Sequence, residues 1–279
     1  MWNKFLRLAS KNKQIKKLKK LIFLVPKRIR IVLSTLVMVF LSVFSTFFVF
    51  IDSWWYFIPI IILISGATTY FAIFEGVEGV EWYMLFIVPI FFALALYFSY
   101  SLFPARWLTR LPFIILFSLG YYAVLLTMNI FNVGVTKSIQ LYRAAFSINY
   151  IAQTFIIFLT ALAVLSFRFP YVVNGMIIGL TSFMLSLQLF WSVNLEKKIN
   201  KNLILYSLVL AIISSQLTIL ITFVPLTFNI SALILTGYYY SVTGILYHAL
   251  SERLFKNIVR EYIFVMIFIF IITIFTLRY

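Results

Sequence analysis

Eight stretches of this chain carry no charged side chain at all: 31–51, 53–74, 82–105, 111–136, 144–167, 169–195, 202–251 and 262–277. A hydrocarbon layer about 30 Å thick is crossed by a helix of about 20 apolar residues, because a helix closes its backbone hydrogen bonds within one segment. Such runs have no soluble alternative here. Hydrophobic residues make up 64% of the chain and charged residues 11%, too few to cover a water-soluble surface. The window 202–251 is 50 residues long and holds two helices, with "VPLTFN" at 224–229 as the turn between them. The expected fold is therefore all-α, a polytopic transmembrane helical bundle of about nine spans. The last window, 262–277, is the weakest: at about 1.5 Å per residue it falls short of a bilayer, with Arg278 placed to snorkel outward.

Charge then orients the bundle. With the N-terminus cytoplasmic, 19 of the 23 Lys and Arg fall on inward segments, 11 of them before residue 31. Arg106, Arg110, Arg168 and Arg278 remain outside. By the positive-inside rule the N-terminus is in the cytoplasm and the C-terminus outside. The chain divides into a basic amphipathic arm, 1–30, and a single transmembrane helical domain, 31–279. The arm is not read as a cleaved signal peptide, since its basic stretch is long and "STFFVFIDSWW" offers no small-x-small site. As a helix it places Leu8, Ile15, Leu18, Ile22 and Val25 opposite Lys13, Lys16, Lys17 and Lys20. Such a surface lies on anionic headgroups of the cytoplasmic leaflet, each cation contributing about 1 kcal/mol. No aromatic residue interleaves the Lys run, so no nucleic-acid partner is expected.

Acid is scarce, with seven Asp and Glu in all, yet Glu75, Glu78 and Glu81 stand three residues apart in "FEGVEGVEWY". At the start of a helix they would meet the positive end of its dipole, a capping role worth about 0.3–1 kcal/mol each. On one helical face they could instead converge on a cation or share protons, which makes them a candidate ion or proton site. On the outer side, "PARWLTR" sets Arg106 and Arg110 one helical turn apart, and Arg168 joins the same face. Arg and Trp there serve as interfacial anchors or as a candidate binding region for anionic headgroups and lipid-linked sugars.

Within the spans, Gly175, Gly179, Ser182 and Ser186 form a small-residue stripe that lets another helix approach closely. Asn149, Gln153, Asn174, Gln188 and Gln216 are polar fasteners between helices first and pore lining second. Pro59 and Pro89 each remove a helical hydrogen bond. Tyr238, Tyr239, Tyr240 and Tyr247 crowd around His248, and an interfacial belt accounts for only part of that crowding.

The chain has one His, one Asp and no Cys. That inventory excludes multi-histidine and thiolate metal sites, aspartate dyads and thiol nucleophiles, and no P-loop, G-x-S-x-G or H-E-x-x-H occurs. No metal or cofactor is expected. Multispan glycosyltransferases use an acid in the first outer loop, where Asp52 stands, but "DSWW" is too short to hold a sugar donor and acceptor. The stretches "EGVEWYMLFIVPIFFALALYFSYSLFPARWLTRLPF" (78–113) and "NIFNVGVTKSIQLYRAAFSINY" (129–150) resemble uncharacterised multi-pass membrane proteins of small-genome bacteria, a domain of unknown function. That resemblance implies a helical membrane fold and no activity. The expected function is a non-enzymatic component of the cell (cytoplasmic) membrane, whose partners are lipids and a membrane protein or a second copy of the chain. The rival is a transporter or flippase for an amphipathic anionic molecule. A continuous polar cavity reaching the buried amides would mark the transporter, and a solid interior the assembly component.

Overall fold

The computed structural model describes residues 25–47, 56–74, 82–103, 107–133, 139–195 and 199–277. Among them lie nine helices and no strand: α1 Lys27–Thr46, α2 Phe57–Ile73, α3 Met84–Tyr100, α4 Trp107–Val133, α5 Ile139–Ser166, α6 Tyr171–Trp191, α7 Lys201–Thr222, α8 Phe228–Leu250 and α9 Lys256–Leu277. Seven are long and apolar enough to cross a membrane, whereas α2 and α3 have 17 residues each. Some helices run beyond the charge-free windows by taking charge in at an end. α1 takes in Lys27, Arg28 and Arg30. α9 takes in Lys256, Arg260 and Glu261, so it has 22 residues rather than 16, or about 33 Å of helix. The shortfall expected for the last helix is thus removed.

The helices form two groups. α1 to α4 pack on one another, and α5 to α8 do likewise, with α3 and α4 seated against α5 across the join. α6 and α7 make the most extensive pair, and α9 leans on α8 at the edge. Tyr121, Leu125, Met128, Ile156, Leu185, Phe190 and Trp191 belong to the common core.

Most hydroxyl groups in this apolar interior are tolerated because they find a carbonyl, usually on the preceding turn of their own helix. Thr35 donates to Ile31 O at 2.9 Å, Ser99 to Ala95 O at 2.7 Å and Thr181 to Ile177 O at 2.8 Å. Others cross between helices. Ser34 Oγ donates to Thr68 O at 2.9 Å, tying α1 to α2, and Tyr121 OH of α4 lies 3.1 Å from Ser65 Oγ and 3.2 Å from Thr68 Oγ1. Helix ends are closed in the same way. Asn132 Nδ2 donates to Ile73 O at 2.6 Å at the end of α2, and Asn200 caps α7 by accepting from Asn202 N at 3.1 Å. Pro59 falls in the first turn of α2, where its missing N–H has no helical acceptor anyway, so it does not interrupt that helix. Pro89 does lie inside α3, and Pro112 inside α4.

Candidate functional site: a closed amide cluster

A cluster of buried amide side chains joins α5, α6 and α8. Asn149 and Gln153 stand one turn apart on α5 and so share a face. That face meets Gln188 of α6: Asn149 Nδ2 and Gln153 Nε2 both donate to Gln188 Oε1, at 2.9 and 2.5 Å. Gln153 Oε1 in turn accepts from the hydroxyl of Tyr239 on α8 at 2.8 Å. Gln188 Nε2 points at Met128 Sδ of α4, 3.9 Å away, a weak acceptor. All four polar residues are within 1% of complete burial. In a low-dielectric interior such a chain of bonds is stronger than in water, and a missing partner costs correspondingly more. Asn149 Oδ1 is the one cluster atom with no hydrogen-bond partner among the described residues.

Aromatic packing seals the neighbouring face. Tyr150 OH donates to Tyr240 O, and their rings lie 5.0 Å apart, while the ring of Tyr240 is 5.3 Å from that of Tyr262 on α9. Phe146 stacks on Tyr247 at 3.6 Å. The run Tyr238–Tyr240 is therefore not simply a belt. Tyr239 serves the amide cluster and Tyr240 the aromatic contact with α5 and α9.

The amides named from the sequence separate into three fates. Gln153 and Gln188 bridge helices, as does Asn149. Asn174 is buried too, but its Nδ2 donates to Phe169 O at 3.2 Å, a carbonyl just before its own helix rather than one on a neighbour. Gln216 faces outward from α7 and joins none of the other described helices.

Gly175 and Gly179 lie against α7. A Cβ on Gly175 would stand 3.0 Å from Ser215 Oγ, and one on Gly179 would stand 3.2 Å from Ala211 O. Ser182 and Ser186 continue the buried row, with Ser186 Oγ donating to Phe183 O at 3.2 Å and Ser182 Oγ without a hydrogen-bond partner among the described residues.

Arg110 is held by its own bundle: Nε donates to Tyr100 OH at 3.2 Å and the guanidinium lies 4.3 Å over the ring of Phe47. Arg168 lies 5.8 Å over the ring of Phe228, with φ 54° in the turn after α5. The two arginines engage different helices. Arg106 lies outside the described residues, as do Glu75, Glu78, Glu81, Asp52 and the Lys run of the arm. Arg30, counted above with the basic arm, is fully buried in the first turn of α1. It is not available to a lipid headgroup.

A cavity of about 10 Å³, room for one water at most, lies between α1, α2, α3 and α4, beside Met38, Ser42, Ser45, Ile61, Tyr97 and Phe117. It is separate from the amide cluster. No group of three or more His, Asp or Glu able to hold a metal occurs among the described residues. Comparison with protein-family models, with curated proteins and with solved structures finds no match.

Proposed function

We propose that this chain is a non-enzymatic component of the cytoplasmic membrane that acts by assembly with other membrane components rather than by passing a solute. In this reading all nine helices span, the N-terminus is cytoplasmic and the C-terminus lies outside, so that the Lys- and Arg-rich segments meet anionic lipid on the inner face.

One observation carries it. The polar side chains that a translocation path would need, Asn149, Gln153 and Gln188, are buried and satisfy one another together with Tyr239. A transport site keeps hydrogen-bonding capacity open toward a substrate or toward water. Here most of that capacity is consumed internally, Asn149 Oδ1 being the one cluster atom left over among the described residues, which suits a rigid scaffold. Arg110 likewise is turned toward Tyr100 and Phe47.

The chain has no Cys, so single cysteines report cleanly. Ser186→Cys and Ala161→Cys place small thiols at fully buried positions on α6 and α5. In native membrane vesicles a charged, membrane-impermeant thiol reagent should leave both unmodified from either side, while Lys201→Cys and Thr227→Cys at exposed helix ends react. The solubilised chain should migrate in a native gel as a complex larger than one copy. Reaction at Ser186→Cys or Ala161→Cys at the rate of the exposed controls would return the reading to transport, whatever the size of the complex.

A further inference from the structure

Three amide side chains stand six or more residues inside a helix: Asn149, Gln153 and Gln216. The first two are buried and bonded. Gln216 is exposed, and among the described residues nothing donates to it or accepts from it. It lies about 9 Å inside the end of α7, too deep to leave its hydrogen bonds to water without cost. The surrounding surface is apolar. Leu205, Val209, Ile212, Gln216 and Phe223 are all exposed, and their steps of four, three, four and seven residues are those of a helix seam that pairs with another helix. Ile219, which continues the series, is half-buried on the flank toward Gly175. The adjoining side of α7, through Ala211, Ser215 and Ile219, is already fixed against α6, so this seam is carried on a rigid support.

An amide both donates and accepts, so it is its own complement. Copies of one chain share one orientation in a membrane, so a two-fold axis relating them runs along the membrane normal. Two α7 helices then run parallel, and each residue of the seam faces its counterpart. We propose that α7 is the interface of a homodimer, with the two Gln216 amides hydrogen-bonded to each other across the axis. This rests on the assembly reading above and names its partner, a second copy of the chain.

The test uses the full chain in phosphatidylethanolamine and phosphatidylglycerol vesicles. Ile212→Cys should form a disulfide-linked dimer under mild oxidation, at several times the yield of Leu116→Cys on α4 or Phe268→Cys on α9, both equally exposed to lipid. Adding Gln216→Leu should weaken the dimer about threefold to thirtyfold, the effect of one interhelical hydrogen bond in a bilayer, while Gln216→Asn retains most of it. These changes touch only the outward face of α7, and an unchanged Tm confirms an intact fold. Equal cross-linking at all three positions overturns the proposal, and so does a dimer indifferent to Gln216→Leu. In cell membranes, capture of Ile212→Cys on a different protein in place of a second copy overturns it too. An absent dimer with an unreactive interior removes this inference and leaves the assembly reading, whereas a reactive interior removes that reading whether or not the dimer forms.

Discussion

Gln188 and Gln216 are the same residue type in adjacent helices, and their surroundings set opposite consequences for replacing them. Gln188→Leu removes the acceptor shared by Asn149 and Gln153, leaving two buried N–H groups unpaired. That should destabilise the fold by about 1–3 kcal/mol, read as a fall in Tm in detergent. Tyr239→Phe removes one donor and should cost about 0.5–1.5 kcal/mol. At Gln216 the same Gln→Leu change should leave the monomer's Tm where it was. The sequence places both glutamines inside apolar runs but cannot separate them, because lipid-facing and core-facing positions of a bilayer helix are equally apolar. The same ambiguity hid Arg30, which reads as one more cation of a basic arm and is in fact buried. Arg168 offers a further contrast. At φ 54° a glycine is at ease where an arginine is strained. If the residue serves only to anchor the turn, Arg168→Gly should be neutral to slightly stabilising, whereas weakened binding to anionic vesicles would give the guanidinium a headgroup role.

At the scale of the element, length and closeness govern. Helix positions were legible in the apolar runs, and their ends were not, since charged residues extend a membrane helix into the interface while breaking a charge-free count. The α6 stripe was legible for a physical reason: glycine four residues from glycine opens a groove. The structure adds which helix enters it. Gly179→Val should cost about 1–3 kcal/mol, because the backbone carbonyl of Ala211 cannot move aside. Gly66→Ala on α2 makes a control. Nothing stands within 4 Å of its Cβ position, so a stabilisation of about 0.5–1 kcal/mol is expected from helix propensity alone. Measuring both in one detergent system separates packing from propensity.

For the whole molecule, the last helix decides where the chain ends, and its packing bears on that more directly than its length. α9 touches α8 through two glycine notches: a Cβ on Gly237 would stand 2.1 Å from Ile269 Cδ1, and one on Gly244 would stand 2.3 Å from Tyr262 Cζ. The glycines are seven residues apart on α8 and their partners seven apart on α9, in reversed order, so α9 runs back alongside α8. Ser241 Oγ donating to Tyr262 O at 3.3 Å lies between the same two levels. A helix antiparallel to α8 over that depth, with 22 residues of its own and most of its large apolar side chains exposed, is built to cross the bilayer if α8 does. In the proposed topology the nine crossings are odd in number, so Thr276→Cys near the end of α9 should react with an impermeant thiol reagent from the side opposite Lys201→Cys. Gly237→Leu should then push Ile269 out of its notch and loosen α9 alone, since only Ile269 stands against that position. A spin label at Phe268 would gain mobility, and one at Ala161 in the core would not. If Thr276→Cys and Lys201→Cys react from the same side, α9 lies on the surface or fails to cross, and the nine-span topology with opposed termini is lost.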